Sequence, residues 1–397
     1  MPTRRATGRP AVRVRSAALI AAVTLTAGLV SITGPGVAGQ AGAAACSNSG
    51  SGLQTLLPAP LGRPARPHGP QRAMPRYDDG RSKTIAWVTG PKSPNRTYSR
   101  HGISGTDIGV AWDNGRGETL MAFGDTFGNC AEAGQQWRHN VLMRTTDRNY
   151  ADGLTVRSAG GWAPTMIGAL GMRFVEVTTI PTAGIAINGK QYINYMSVRA
   201  WGVPGEWATN YAGIAVSGDN GRTWQTNPAN FRWNIAGNSN FQQSAYVRGT
   251  GPDAGWIFQY GTPNGRSGAA HVARFRPADI LNLGAYEYWN GHGWVRDVNA
   301  SRPVVRRPVS ELSVAYSQYL RKYVMLHTTS GVVLRTAKRP QGPWSPPRML
   351  LRKGTVDAYA PMILPHSPAL TGAGPELYYN GSRWDDYNVL LIRTNLR

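Results

Sequence analysis

From Gly105 onward, short runs of β-branched and aromatic residues are separated by Gly-, Pro- and Asn-rich turns. Ile108–Trp112, Thr119–Phe123, Gly184–Ile187, Tyr192–Ser197, Gly213–Ser217, Trp256–Tyr260, His271–Phe275, Ser313–Tyr316, Tyr323–His327, Val332–Ala337, Leu377–Tyr379 and Asn388–Thr394 all have strand length. The 3.6-residue apolar spacing of an amphipathic helix is nearly absent, and Pro277 to Leu283 has room for one turn. The pattern predicts an all-β domain built from hairpins.

Composition sharpens this. With 48 Gly and 28 Pro in 397 residues, a helical bundle or coiled coil is excluded. A 41% hydrophobic content supports a large core, and 16% charged residues are too few for a disordered chain. The 13 Trp and 17 Tyr outnumber the 7 Phe, so many rings carry a polar handle, which suits a core opening onto a wet, sugar-binding surface.

Residues 1–45 read as a secretory signal peptide: Arg4, Arg5, Arg9, Arg13 and Arg15, an apolar run from Ala17 to Ile32, then small residues to Ala45. The mature protein is therefore expected to be secreted or associated with the cell envelope. Its two cysteines, Cys46 and Cys130, are expected to form one disulfide in an oxidising exterior, with lipidation of Cys46 as the alternative. Residues 46–90 read as an extended Pro/Arg/Gly-rich arm in which only Thr84 to Thr89 is strand-like, and 91–397 as the folded domain. The seven His show no paired ligand spacing, so no zinc site is read, and P-loop, dinucleotide and Gly-x-Ser-x-Gly patterns are absent; a structural calcium stays open.

The formal net charge is +22; without the five Arg of residues 1–45, 38 basic residues still face 21 acidic ones. The bases are scattered rather than clustered. This predicts electrostatic association with an anionic envelope and no specific nucleic-acid partner.

Ser217-Gly218-Asp219-Asn220-Gly221-Arg222-Thr223-Trp224 fits the Asp-box, a hairpin turn found in propeller blades and usually remote from active sites. Asp219 is expected to accept backbone N–H bonds and Gly221 to take a positive φ. The length from Pro91 to Arg397 allows five blades, hence a five-bladed β-propeller, with a pair of β-sandwiches as the competing arrangement.

Glycosidic cleavage requires two carboxyl groups. Gly105-Thr106-Asp107-Ile108 and Phe123-Gly124-Asp125-Thr126 flank a turn from Asp113 to Glu118. A hairpin centred on Arg116 would place Asp107 opposite Asp125, Gly109 opposite Phe123 and Ala111 opposite Met121. Facing like charges are destabilising, so such a pair implies a use for it or a shared proton. Glu176 and Glu311, each in a strand-like run, are further candidates, either as a third acid or as a buried partner for Arg. A sugar cleft is expected from Arg138, His139 and Asn140, Trp201 and Trp207, Asn210, Gln243, and Arg266.

Together, Gly-Thr-Asp-Ile-Gly-Val (105–110), Phe-Gly-Asp-Thr-Phe-Gly (123–128), Trp-Arg-His-Asn-Val-Leu (137–142), Ile-Pro-Thr-Ala-Gly-Ile (180–185), Tyr-Met-Ser-Val-Arg-Ala-Trp-Gly (195–202), Gly-Thr-Pro-Asn-Gly-Arg (261–266) and Glu-Leu-Ser-Val (311–314) resemble the domain of unknown function 4185 family, associated with glycoside hydrolase family 183. The resemblance runs from Gly105 to Arg397. It implies a five-bladed propeller that cleaves D-arabinan internally, in arabinogalactan and lipoarabinomannan, with Asp107 and Asp125 catalytic and no essential cofactor. A non-catalytic wall-binding propeller is the alternative. A sialidase is disfavoured, because Thr179-Ile180-Pro181 lacks the Arg of the Arg-Ile-Pro signature.

Overall fold

The computed structural model describes residues 71–128 and 137–397. The expected signal peptide, most of the arm, Cys46 and Cys130 lie outside the described residues. Strand β1 (Ser82–Trp87) comes first and leaves its partners to the end of the chain. Blade I is β2 (Ile108–Asp113), β3 (Thr119–Phe123) and β4 (Val141–Thr145). Blade II is β5 (Thr178–Ile187), β6 (Lys190–Trp201), β7 (Trp207–Ser217) and β8 (Arg232–Trp233). Blade III runs β9 (Gln243–Arg248), β10 (Ile257–Thr262), β11 (His271–Phe275), β12 (Glu287–Trp289) and β13 (Trp294–Val295). Blade IV is β14 (Ser313–Ser317), β15 (Lys322–Thr328), β16 (Gly331–Ala337) and β17 (Arg348–Arg352). Blade V is β18 (Ala358–Ile363), β19 (Glu376–Arg383) and β20 (Asn388–Asn395), with β1 paired antiparallel to β20 from Ser82↔Thr394 to Trp87↔Leu390.

The inner strands close a ring: β2 packs on β5, β5 on β9, β9 on β14, β14 on β18, and β18 back on β2. The molecule is a five-bladed β-propeller. Its seam is sealed by β1, drawn from the segment that composition assigns to the arm, so the folded body begins before residue 91. Middle strands are covered on both faces by neighbouring blades; β3 and β4 are buried at every position. Such strands read as continuous apolar runs with little alternation, which is why the repeat is faint in the sequence.

The Asp-box forms the turn after β7. Asp219 Oδ1 accepts from the N–H groups of Arg222 (3.0 Å) and Thr223 (2.9 Å), and Gly221 has φ +84°. Asn220 reaches across to Asn114 and Glu118 of blade I (3.0 and 3.1 Å). This turn sits at the ends of the strands opposite the cavity described next, and it joins two blades.

Candidate active site

The N-terminal ends of all five inner strands converge on one cavity of about 310 Å³. Asp107 precedes β2, Ile180 to Thr182 lie in β5, Gln243 opens β9, Glu311 precedes β14 and Tyr359 lies in β18. The hairpin from Trp201 to Trp207 forms one wall, and Trp384 and Tyr387, between β19 and β20, form another.

The first hairpin is centred on Arg116 as expected: Val110↔Ala122, Ala111↔Met121 and Asp113↔Thr119 all keep that register. A bulge at Gly109 then adds a residue to β2, so Phe123 pairs with Ile108 and not with Gly109. Asp107 consequently falls opposite Gly124, whose N–H donates to the Asp107 carbonyl (3.1 Å), and Asp107 and Asp125 are not a cross-strand pair. Both still line the cavity. Gly109 has φ +74° and Ile108 has φ +68°, a conformation strained for a β-branched residue. Blade V holds the bulge in place: Ile108 N–H donates to Ser382 Oγ (2.8 Å) and Asn380 Nδ2 donates to the Gly109 carbonyl (2.8 Å). Gly124 is needed for the same geometry, because a Cβ there would lie 2.5 Å from Asp107 Oδ1.

Burial pushes the Asp107 carboxyl up to about 7; the Tyr359 hydroxyl, donating to Oδ2 at 2.9 Å, opposes the shift, and the Glu311 charge adds to it. Its Oδ1 is buried with no hydrogen-bond partner. Asp125 is likewise pushed to about 7 by burial, with Asp107 adding to the rise. Thr178 Oγ1 (2.7 Å) and Trp137 Nε1 (2.9 Å) both donate to its Oδ1 and oppose it. Charge on Asp107 thus disfavours charge on Asp125, an arrangement suited to one acid working protonated beside an ionised one.

Glu311 is placed differently. Arg266 grips it with Nε (3.0 and 3.1 Å) and Nη2 (2.7 Å). Burial opposes the guanidinium charge, but Glu311 outweighs it and holds Arg266 above its ordinary pKa. The guanidinium lies over Tyr359 (4.8 Å), Trp384 (5.2 Å) and Trp207 (5.5 Å). Glu311 is therefore the buried partner of an Arg, and also part of the cavity wall. Gln243, 1% exposed, gives its Nε2 to Thr262 Oγ1 (3.1 Å) and the Pro263 and Gly265 carbonyls (both 2.9 Å). That fixes the amide and leaves Oε1 an unpaired acceptor in a cavity-lining side chain.

The structure brings Asp107, Asp125, Glu311, Trp201, Trp207, Gln243 and Arg266 together and leaves the other expected residues outside the cavity lining. Glu176 accepts from Ser197 (2.6 Å), Tyr211 (3.2 Å) and the Leu170 N–H (3.2 Å), anchoring the loop before β5. Arg138 donates to the carbonyls of His101, Gly102 and Ala163, stacks on Trp162 at 4.3 Å, and is lowered by burial to about 9. His139 packs edge-on against Trp137 (4.6 Å), and burial lowers it to about 4. Asn140 binds the Ile167 and Thr179 carbonyls (both 2.8 Å), and Asn210 binds the Val175 carbonyl (2.7 Å). In each case a polar side chain satisfies buried or turning backbone. Sequence reasoning missed Tyr359, Tyr387, Trp384 and Thr178. Among the described residues, no group of three or more His, Cys, Asp or Glu is placed to hold a metal ion.

The family described as a domain of unknown function (DUF4185) matches residues 92–393. Notoamide biosynthesis cluster protein J of Aspergillus sp. (strain MF297-2) is 27% identical over 316 residues, 72% of this chain and 81% of its own length. Protein J′ of Aspergillus versicolor is 27% identical over 311 residues, 72% and 82% of the two chains. The solved structure of a hydrolase candidate from Bacteroides ovatus ATCC 8483 superposes with a TM-score of 0.52 at 14% identity, over 75% of this chain and 88% of that one, a likeness of fold. With a match over most of its length, this chain belongs to the DUF4185 family.

Proposed function

We propose that this protein is a secreted glycoside hydrolase that cuts internal α-D-arabinofuranosyl linkages of cell-wall arabinan, in arabinogalactan and lipoarabinomannan. One observation carries the reading: two aspartates, each raised to about 7 by burial, share an aromatic-walled cavity with no ion pair on either carboxyl among the described residues. Each rises despite the donors on it, and a buried, raised carboxyl lining a cleft is the environment of a group that works by exchanging a proton.

The roles follow from the surroundings. Asp107, raised by burial and by the Glu311 charge while the Tyr359 and Tyr387 hydroxyls and Arg266 oppose the rise, is assigned the general acid on the leaving oxygen. Asp125, with two donors on Oδ1, is assigned the carboxylate that stabilises or attacks the oxocarbenium-like centre. Trp201, Trp207 and Trp384 supply apolar wall for the sugar's C–H surface, and Gln243 Oε1 accepts from a hydroxyl.

Digestion of purified arabinogalactan tests this. The wild type releases oligosaccharides and folded Asp125→Asn does not. Binding without turnover across a panel of polysaccharides would replace hydrolysis with a wall-binding role. Intact mass of the exported protein tests cleavage near Ala45 and the state of Cys46.

A further inference from the structure

Large apolar side chains stand exposed together on blade II, at the face onto which the cavity opens. Phe174, Val175, Trp201, Val203, Trp233 and Ile235 each keep between 36% and 68% of their surface in solvent. Their backbones are lateral neighbours. Phe174 N–H donates to the Arg199 carbonyl at the end of β6 (2.9 Å), and Asn234 N–H to the Asn210 carbonyl at the start of β7 (2.9 Å). Asn210 Nδ2 in turn binds the Val175 carbonyl (2.7 Å), and Trp233 lies edge-on to Tyr211 (5.3 Å). Trp201 belongs to this patch and to the cavity wall, so the two are continuous.

A soluble surface rarely leaves such a patch uncovered. Val175, Val203 and Ile235 offer neither a flat face to stack on a sugar nor a group to bond a hydroxyl; branched aliphatic chains match hydrocarbon. The surrounding charge has one dominant sign. Arg173 and Arg199 are exposed beside the patch. Arg306 and Arg307, after the Ala270↔Val305 bridge, and Arg352 and Lys353, where β17 meets Gly331, are exposed on the same face. Glu206 is the exposed acid of the hairpin between Trp201 and Trp207. An apolar patch flanked by arginines, on a face that carries further basic residues on the neighbouring blades, has the composition of an interfacial anchor.

We propose that this face of blade II docks on an anionic lipid bilayer, with Phe174, Val175, Val203, Trp233 and Ile235 entering the interface and the surrounding arginines meeting the headgroups, so that the cavity mouth opens at the membrane surface. The proposal stands independently of the hydrolase reading. It is tested by flotation of the full chain with phosphatidylglycerol–phosphatidylcholine vesicles and with phosphatidylcholine alone, beside a Phe174→Ser/Ile235→Ser double variant. The N-terminal apolar run is common to both proteins and contributes equally. The mixed vesicles carry the wild type, raised salt weakens binding, and the folded variant's bound fraction falls about tenfold. Equal flotation of the two overturns it. So does a wild-type dimer that the variant converts to monomer, or variant-sensitive binding to soluble polysaccharide without vesicle binding.

Discussion

Asp107 and Asp125 at the cavity and Asp219 in the turn at the opposite strand ends are chemically identical and physically opposed. Burial drives the first two up to about 7, against only one or two neutral donors each. Asp219 is held down to about 2, first by the Thr223 hydroxyl and then by backbone N–H groups, with little burial to oppose them. One propeller thus contains an aspartate environment built to keep a proton and another built to exclude it. Local sequence describes the second completely, since the donors to Asp219 come from residues 217 to 223. It describes the first only in part, since Tyr359 reaches Asp107 from 252 positions away.

The comparison breaks most visibly in activity. Asp107→Asn and Asp125→Asn are expected to lower arabinan cleavage by about a thousandfold or more, within the range general acid–base groups supply, while Asp219→Asn leaves the rate unchanged. Rate against pH should be bell-shaped around 7, because the working form holds one proton between the coupled acids. Comparable activity in all three variants would remove the cavity from the mechanism.

Next in size is the ion pair in the cavity wall. Arg266→Met strands Glu311 without its cation, and loss of one partner of a buried pair costs about 3–5 kcal/mol. Arg266 also lowers the Asp107 pKa, so any residual activity should move to higher pH. The Arg266→Met/Glu311→Met double variant should be more stable than the single one by urea unfolding; equal or lower stability would mean that the pair is not energetically coupled.

Gly124→Ala separates position from identity. The added Cβ, 2.5 Å from Asp107 Oδ1, displaces the carboxyl without removing it. Cleavage should fall by roughly tenfold to a hundredfold, less than for Asp107→Asn, through kcat more than KM.

Legibility divides along the same line. The strands, the Asp-box and the five-blade count follow from turn chemistry and length, and Asp107, Asp125, Gln243, Trp201 and Trp207 from their motifs. The facing register of the two aspartates failed at Gly109, because the bulge is stabilised by Asn380 and Ser382 from the far end of the chain. Trp137, Arg138, His139 and Asn140 form one polar–aromatic string, yet only Trp137 touches a cavity acid; the other three face backbone carbonyls or a neighbouring ring. Nothing in the residue types separates those fates, since an amide that bonds a sugar and one that bonds a loop look alike in sequence.

The smallest expected effects are in stability, and their signs differ between the two regions. A raised carboxyl pKa means that the folded chain binds more protons than the unfolded one between about pH 4 and 7, so stability falls as pH rises through that window. Removing the ionisable group at the cavity should therefore stabilise the protein at pH 8: Asp125→Asn is expected to be more stable than wild type there by about one to a few kcal/mol, and so to melt higher, a gain that vanishes near pH 4. Asp219 works the other way. Its lowered pKa supplies stability that is present above about pH 4 and lost as pH falls through about 2. Asp219→Ala should therefore cost about 1 kcal/mol at neutral pH, through lost turn hydrogen bonds, and less at the acid limit, where its charge no longer strengthens them. Melting temperatures of the two variants across pH should diverge from wild type in opposite directions above pH 7 and approach it together in acid. If Asp125→Asn is destabilised at pH 8, its carboxylate is solvated in the cavity, and burial is not what sets its proton.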